Sequence, residues 1–303
     1  MNTGSTFKGF SLGAIAAASY GLNPLFTLPL YSEGLSADSV LCYRYGFAVL
    51  LLAIMLKVQK QSFALRRCEI LPLVIIGLLF SFSSLTLFES YNYMDAGIAS
   101  TILFIYPVLV AVIMAVFFKE RISVITMTSI ALAFWGITML YHGDSGETLS
   151  TVGVLMVFIS SLTYAIYIVG VNRSVLKDMP PAKLTFYALL FGWSVYIVRL
   201  HFFVNLDLIQ NPVHWINPIA LALIPTIISL ITMTKAIHYI GSTYAAILGA
   251  LEPITALCIG VAVFDEKMTP RIFTGIVLVL IAVTLIIIGK PLAQFVRQYV
   301  SRR

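Results

Sequence analysis

The chain has 303 residues, 60% of them hydrophobic and 11% charged, with a formal net charge of +6 and a mean hydropathy of +0.98. A soluble domain carries about 25% charged residues, so this composition excludes an ordinary water-soluble fold. The excess of Lys and Arg falls between apolar runs and at the C-terminal end, which is a pattern of membrane topology rather than of nucleic-acid binding.

Apolar runs near 20 residues, long enough to cross about 30 Å of hydrocarbon, recur along the whole chain. In order they predict ten membrane helices. The first half gives Gly9–Leu30, Ala37–Leu56, Leu71–Tyr91, Gly97–Phe118 and Val124–Tyr141. The second half gives Thr151–Val171, Leu184–Phe203, Pro218–Ala236, Thr243–Val263 and Ile272–Gly289. The first run has span length and no convincing cleavage site, so no cleavable signal peptide is expected.

Polar residues inside these runs are the candidates for function. In the first span Tyr20 and the pair Asn23-Pro24 interrupt the apolar pattern, and Pro24 leaves backbone acceptors that a cavity water or ligand could satisfy. Arg44 lies about two turns into the second span and Glu89 near the end of the third at similar depth. They are natural partners in a gating or structural ion pair. Ser81, Ser83, Ser84 and Thr86 suit helix–helix hydrogen bonding or substrate contact. Tyr106-Pro107 breaks the fourth span.

In the second half, Tyr164 and Tyr167 share one helix face at a spacing of three. With Trp193 in the seventh span they either line a pocket for an apolar or aromatic group or pack ordinarily. Lys235 sits near the end of the eighth span, where its long stem reaches water or serves a gate. Glu252-Pro253 is the most informative pair. A carboxylate near the bilayer midplane is costly by at least ~2.5 kcal/mol, and Pro253 frees a carbonyl near Gly249. Glu252 either faces a cavity, binding a substrate ammonium or a coupling proton, or braces a broken helix. Tyr91, Tyr93 and Trp215 read as interface anchors.

Cys42, Cys68 and Cys258 are isolated, and His142, His201, His214 and His238 lie near span ends or in loops. That leaves no expected metal site, cofactor or catalytic residues.

Two stretches repeat one motif 146 residues apart, counting from position 93 to position 239. Tyr93-Met94-Asp95-Ala96-Gly97 leads to Pro107 and Phe118-Lys119-Glu120-Arg121. Tyr239-Ile240-Gly241-Ser242-Thr243 leads to Pro253 and Phe264-Asp265-Glu266-Lys267. The expected organisation is a five-helix repeat over 1–146, a second over 147–290, and a basic tail over 291–303 lying against an anionic leaflet. With a cytoplasmic N-terminus, fifteen of the 19 Lys and Arg residues fall inside; only Arg199, Lys267 and Arg271 fall outside, and Arg44 is within a span. Both termini are therefore expected in the cytoplasm. An odd number of spans per half then inverts the second half.

The motifs Ala96–Glu120 with Pro107 and Ser242–Glu266 with Glu252-Pro253 resemble the EamA family of the drug/metabolite transporter superfamily. The resemblance covers nearly the whole chain. It implies an all-α integral membrane protein: ten transmembrane helices as two inverted five-helix repeats, in the cell (inner) membrane. It further implies a secondary transporter for a small metabolite, with amino acids a common class and export the favoured direction. Lys119 and Asp265 stand where the family often has glycine before the Glu, so the resemblance does not by itself imply a tight turn there. The expected partners are a small-molecule substrate, a coupling proton and lipid, and no nucleic acid, with the chain a monomer or homodimer. Another solute class, a passive channel or an intramembrane enzyme are the alternatives; no P-loop suggests ATP use.

Overall fold

The computed structural model describes residues 3–119, 124–141 and 149–300, and every regular element among them is helical. Six helices are individually long and apolar enough to cross a membrane, and three shorter ones are apolar throughout. With the broken first span, they make ten spans among the described residues.

The first span is α1 (Thr3–Gly21) followed by α2 (Asn23–Ser32). Then come α3 (Ala37–Val58), α4 (Arg67–Ser90), the broken pair α5 (Ala96–Leu103) and α6 (Tyr106–Phe118), and α7 (Val124–Tyr141). The second half holds α8 (Thr151–Arg173), α9 (Pro181–Arg199), α10 (Ile216–Leu221), a π-helical stretch Ala222–Ile228, α11 (Ser229–Leu248), α12 (Leu251–Phe264) and α13 (Pro270–Val300).

Local chemistry sets the ends. The Ser36 side chain caps α3 through the Ser39 N–H. Glu69 reaches back to the Arg66 N–H at 2.8 Å, so α4 begins in polar sequence four residues before the expected Leu71. Such caps satisfy amides that have no partner inside the helix. His201, Phe202 and Phe203 all have positive φ, and this is why α9 stops at Arg199 rather than running on to Phe203.

The expected eighth and ninth spans meet inside one helical stretch, α11, which covers the expected connection between Ala236 and Thr243. Gly9 meets Tyr239 and Ile240, whereas Gly13, one turn along α1, meets both Ala236 and Leu248. The helical stretch α11 therefore doubles back near Gly241, carrying the end of one crossing and the start of the next. α13 continues helical to Val300, through most of the stretch expected as a basic tail.

Packing follows a regular scheme. The principal pairs are α1 with α11, α4 with both α8 and α9, α3 with α9, α5 with α12, and α7 with α13. Apart from α4 with α9, exchanging corresponding helices of the two halves maps these pairs onto one another. Without a hydrophobic drive between helices in lipid, close backbone approach and interhelical hydrogen bonds hold such a bundle. Gly136 and Gly275 supply the approach for α7 and α13: a Cβ on either would lie 2.9 Å from the carbonyl oxygen of the other. The serine patch of α4 supplies hydrogen bonds. Ser81 donates to Gly192 O at 2.7 Å, Ser83 and Ser160 exchange bonds, and Ser84 meets the Tyr45 hydroxyl at 2.9 Å.

Candidate functional site: a central cavity at the helix breaks

A proline cannot donate its backbone bond, so the carbonyl four residues earlier loses its partner. Four prolines do this around the centre of the bundle. Pro24 frees Tyr20 O, which accepts from Asn23 Nδ2 at 2.8 Å. Pro107 frees Leu103 O, reached by the Ser161 hydroxyl at 3.1 Å. Pro225 frees Leu221 O, which accepts from the Thr226 hydroxyl at 3.0 Å. Pro253 frees Gly249 O, which accepts from the Glu252 N–H at 3.0 Å. The three prolines singled out in the sequence each begin a new helix, α2, α6 and α12.

These breaks border a cavity of about 440 Å³. Tyr20, Tyr106, Tyr164, Tyr167, Arg44 and Glu252 all line it. The rings of Tyr164 and Tyr167 stack, 5.7 Å apart and 9° from parallel, and Tyr106 meets Tyr164 edge-on at 4.8 Å. Phe80 completes the aromatic wall, 5.2 Å from Tyr167. The Arg44 guanidinium lies over the Phe88 ring at 5.3 Å.

Other expected residues lie elsewhere. Trp193 turns away from the cavity, with its indole N–H on Cys42 Sγ at 3.3 Å. Asn23 is buried but does not line the cavity; its amide holds the first break. Lys235 is exposed at the helix surface. No ion pair joins Arg44 to Glu89 among the described residues: Arg44 turns to Thr226, while Glu89 accepts from Asn92 at 3.3 Å. The two share a depth but face different neighbours. Tyr91 is 8% exposed and so is no interface anchor, whereas Tyr93 and Trp215 are exposed.

Sequence reasoning missed Thr226, Phe80, Phe88, Met233 and Ile237, all in the lining. Pro225-Thr226 inside a span was the available signal; the apolar ones carried none.

The lining runs on to Thr185, Met233 and Ile237 near Lys183 and Lys235, and so extends toward one end of the bundle. That end also carries Lys57, Arg66 and Arg67, and Lys183 Nζ donates to Ala64 O there.

The opposite end is tied across the halves. Asp207 accepts from the Ser36 N–H and from the hydroxyls of Ser36 and Ser39 at 2.6–2.9 Å. Burial would raise its carboxyl, but these hydrogen bonds outweigh burial and hold it below the usual range. Arg199 grips Asp38 with two bonds, 2.6 and 2.9 Å, and His214 pairs with Glu33. Glu266 accepts from the Ala96 N–H at 2.8 Å and the Gly97 N–H at 3.2 Å, at the start of α5. Burial and the neighbouring Asp95 push its carboxyl up to about 7. The repeat-related Glu120 lies outside the described residues. Groups of three or more metal-ligating side chains are absent among the described residues.

Comparison with known proteins identifies this architecture. The EamA-like transporter family model matches twice, over residues 7–142 and 151–288. The chain belongs to the EamA-like transporter family.

Three relatives bear on the reading. An uncharacterized transporter, YxxF, of Bacillus subtilis (strain 168) is 25% identical over 66% of this chain, and the match spans 63% of that protein's length. An uncharacterized transporter of Archaeoglobus fulgidus is 25% identical over 90% of this chain and 96% of its own. A probable amino-acid metabolite efflux pump of Escherichia coli (strain K12) is 24% identical, over 70% of this chain and 75% of the pump. A protein crystal structure superposes with a TM-score of 0.64 at 14% identity, covering 94% of this chain and 96% of that one. That likeness is one of fold. The chain is thus a multi-pass membrane transporter of the EamA-like kind.

Proposed function

We propose that this EamA-like protein is a secondary carrier that exports an amino acid or a closely related small metabolite by alternating access. The observation that carries the reading is the cavity itself. It lies where proline-broken helices from both halves meet, and it presents one carboxylate, Glu252, among tyrosines. Broken helices at mid-membrane are tolerated where they line a cavity and are the usual place for a transporter's solute site. The match to an amino-acid metabolite efflux pump supports the substrate class.

The basic end of the bundle is the cytoplasmic one, in a cell (inner) membrane, with both termini on that side. The two halves, 1–146 and 147–290, insert in opposite senses. The packing, exchange-symmetric apart from α4 with α9, and the double family match support this. The cavity's extension toward the basic end and the ties at the other end then describe an inward-facing state. Glu252 meets the substrate's ammonium or carries a coupling proton.

Counterflow in proteoliposomes tests the carrier directly. Internal unlabelled amino acid should accelerate uptake of labelled amino acid from outside. A flux indifferent to the trans solute would mean a passive channel instead.

A further inference from the structure

Arg44 is 5% exposed, lines the cavity, and has no carboxylate partner among the described residues. An unpaired charge held away from water is destabilising by several kcal/mol, so such an arginine needs either a structural partner or a ligand.

Its neighbours offer only neutral compensation: the Tyr20 hydroxyl, the Thr226 hydroxyl and the face of the Phe88 ring. Nε and Nη2 both point at the single oxygen of Thr226, at 3.4 Å each, long for a hydrogen bond. A guanidinium has five N–H donors, and two neutral hydroxyls, of Tyr20 and Thr226, cannot saturate them. The Thr226 hydroxyl is fixed by its own bond to Leu221 O. The Pro225 break frees that carbonyl, so the π-helical stretch aims an acceptor at Arg44 without neutralising it. Tyr20 is hydrogen-bonded to Arg44 and within electrostatic reach of Glu252. Arg44 and Glu252 are the two charged side chains of the lining.

We infer that Arg44 is the anion subsite of the central cavity, receiving the carboxylate of the transported solute while Glu252 faces its ammonium group. A planar guanidinium matches a carboxylate in bidentate fashion. The stacked Tyr164 and Tyr167 with Phe80 offer a wall for an apolar or aromatic side chain. The cavity therefore takes a zwitterion, not a cationic amine or a neutral sugar. This assignment rests on the carrier reading for its location and adds the recognition chemistry. It replaces the ion pair with Glu89 that sequence depth suggested.

The test uses purified full-length protein and four probes on one scaffold: L-phenylalanine, L-phenylalaninamide, 3-phenylpropionate and 2-phenylethylamine. Affinities come from the ligand-induced rise in melting temperature. L-phenylalanine should bind best, and replacing its carboxylate by the amide should weaken binding by about tenfold or more, because a desolvated charge is left unmatched. In Arg44→Gln the acid-to-amide preference should fall to about one, while Arg44→Lys, a point charge without the fork, keeps part of it. Arg44→Met controls for folding: its melting temperature without ligand should equal or exceed that of the wild type.

The inference is overturned if the wild type binds amide and acid equally, or if neither carboxylate probe stabilises it. Retained acid preference in Arg44→Gln, or loss of folding in Arg44→Met, would overturn it too. Counterflow separates the two readings. Trans-stimulated transport without acid preference sinks the subsite alone; acid preference without trans-stimulation sinks the carrier alone.

Discussion

Glu252 shows how one residue serves both structure and chemistry. Its backbone N–H closes the break that Pro253 opens, and its carboxyl reaches the cavity. An ionised carboxylate at this depth costs at least ~2.5 kcal/mol, so the side chain is not there for stability. Glu252→Gln should keep or raise the melting temperature while transport loses its dependence on pH between about 5 and 8. Transport by the variant with the wild-type pH profile would reduce Glu252 to a helix brace.

Other single residues carry information that types alone do not. Lys119 and Asp265 end α6 and α12 in the same left-handed conformation, both at φ 54°. That is the geometry glycine usually supplies at a helix C-terminus. The tight turn is therefore present in both halves although neither has glycine at this position. Arg44 and Glu89 show the opposite limit: sequence gives their depth in the membrane, while the helix face that decides pairing depends on neighbours.

At the scale of elements, the contact of α5 with α12 joins the halves through one carboxylate. Gly97 lies on α5 and Gly260 on α12, and both face Glu266. A Cβ at Gly97 would stand 2.9 Å from its oxygen, so the absence of side chains makes room for the cap. Ionised, Glu266 accepts two amide bonds and suits the positive end of the α5 dipole. Burial and Asp95 work against that charge and raise its pKa to about 7. An acid whose pKa is higher folded than unfolded binds more protons when folded. Its contribution to stability is thus fully present at low pH and declines as pH rises from the ordinary value of 4.5 through about 7. Asp95, also raised by burial, adds to the same slope.

Because Glu266 is partly exposed, solvent screening limits the effect to about 1 kcal/mol, a few degrees in melting temperature. Glu266→Gln keeps one amide bond and should flatten the fall in melting temperature between pH 5 and 8. A variant with the wild-type slope would show that other groups set it.

Element existence was readable because apolar runs and prolines act locally: Pro24, Pro107 and Pro253 start helices where the sequence placed them. The reversal near Gly241 was readable too, at Gly241-Ser242-Thr243; what the sequence did not show is that the helical stretch α11 runs through it. The cavity was readable through its polar members, Tyr20, Arg44, Tyr106, Tyr164, Tyr167 and Glu252. Phe80, Phe88 and Met233 look like any other apolar residue until the helices are packed. Trp193 failed for the same reason, since nothing in its neighbourhood in sequence says that it faces Cys42.

For the whole molecule, the packing scheme separates α4, α8 and the α5–α6 pair from α1, α11 and α12, with the cavity between. Interfaces packed this tightly switch between discrete arrangements rather than deform continuously. In the proposed carrier cycle one group rocks against the other, closing the basic end as the Glu266 end opens. An amino-acid substrate moves this equilibrium to the extent that it binds the two states unequally.

The most direct measurement is a pair of spin-label distances in the reconstituted protein, after replacing Cys42, Cys68 and Cys258 with serine. One pair, at Tyr93 and Lys267, spans the groups at the Glu266 end; the other, at Val175 and Lys235, spans them at the basic end. All four sites are exposed. On adding a transported amino acid, reciprocal shifts are expected: the 93–267 distance gains a longer population as the 175–235 distance gains a shorter one. Distances that stay fixed, or that lengthen together at both ends, would contradict alternating access about this cavity.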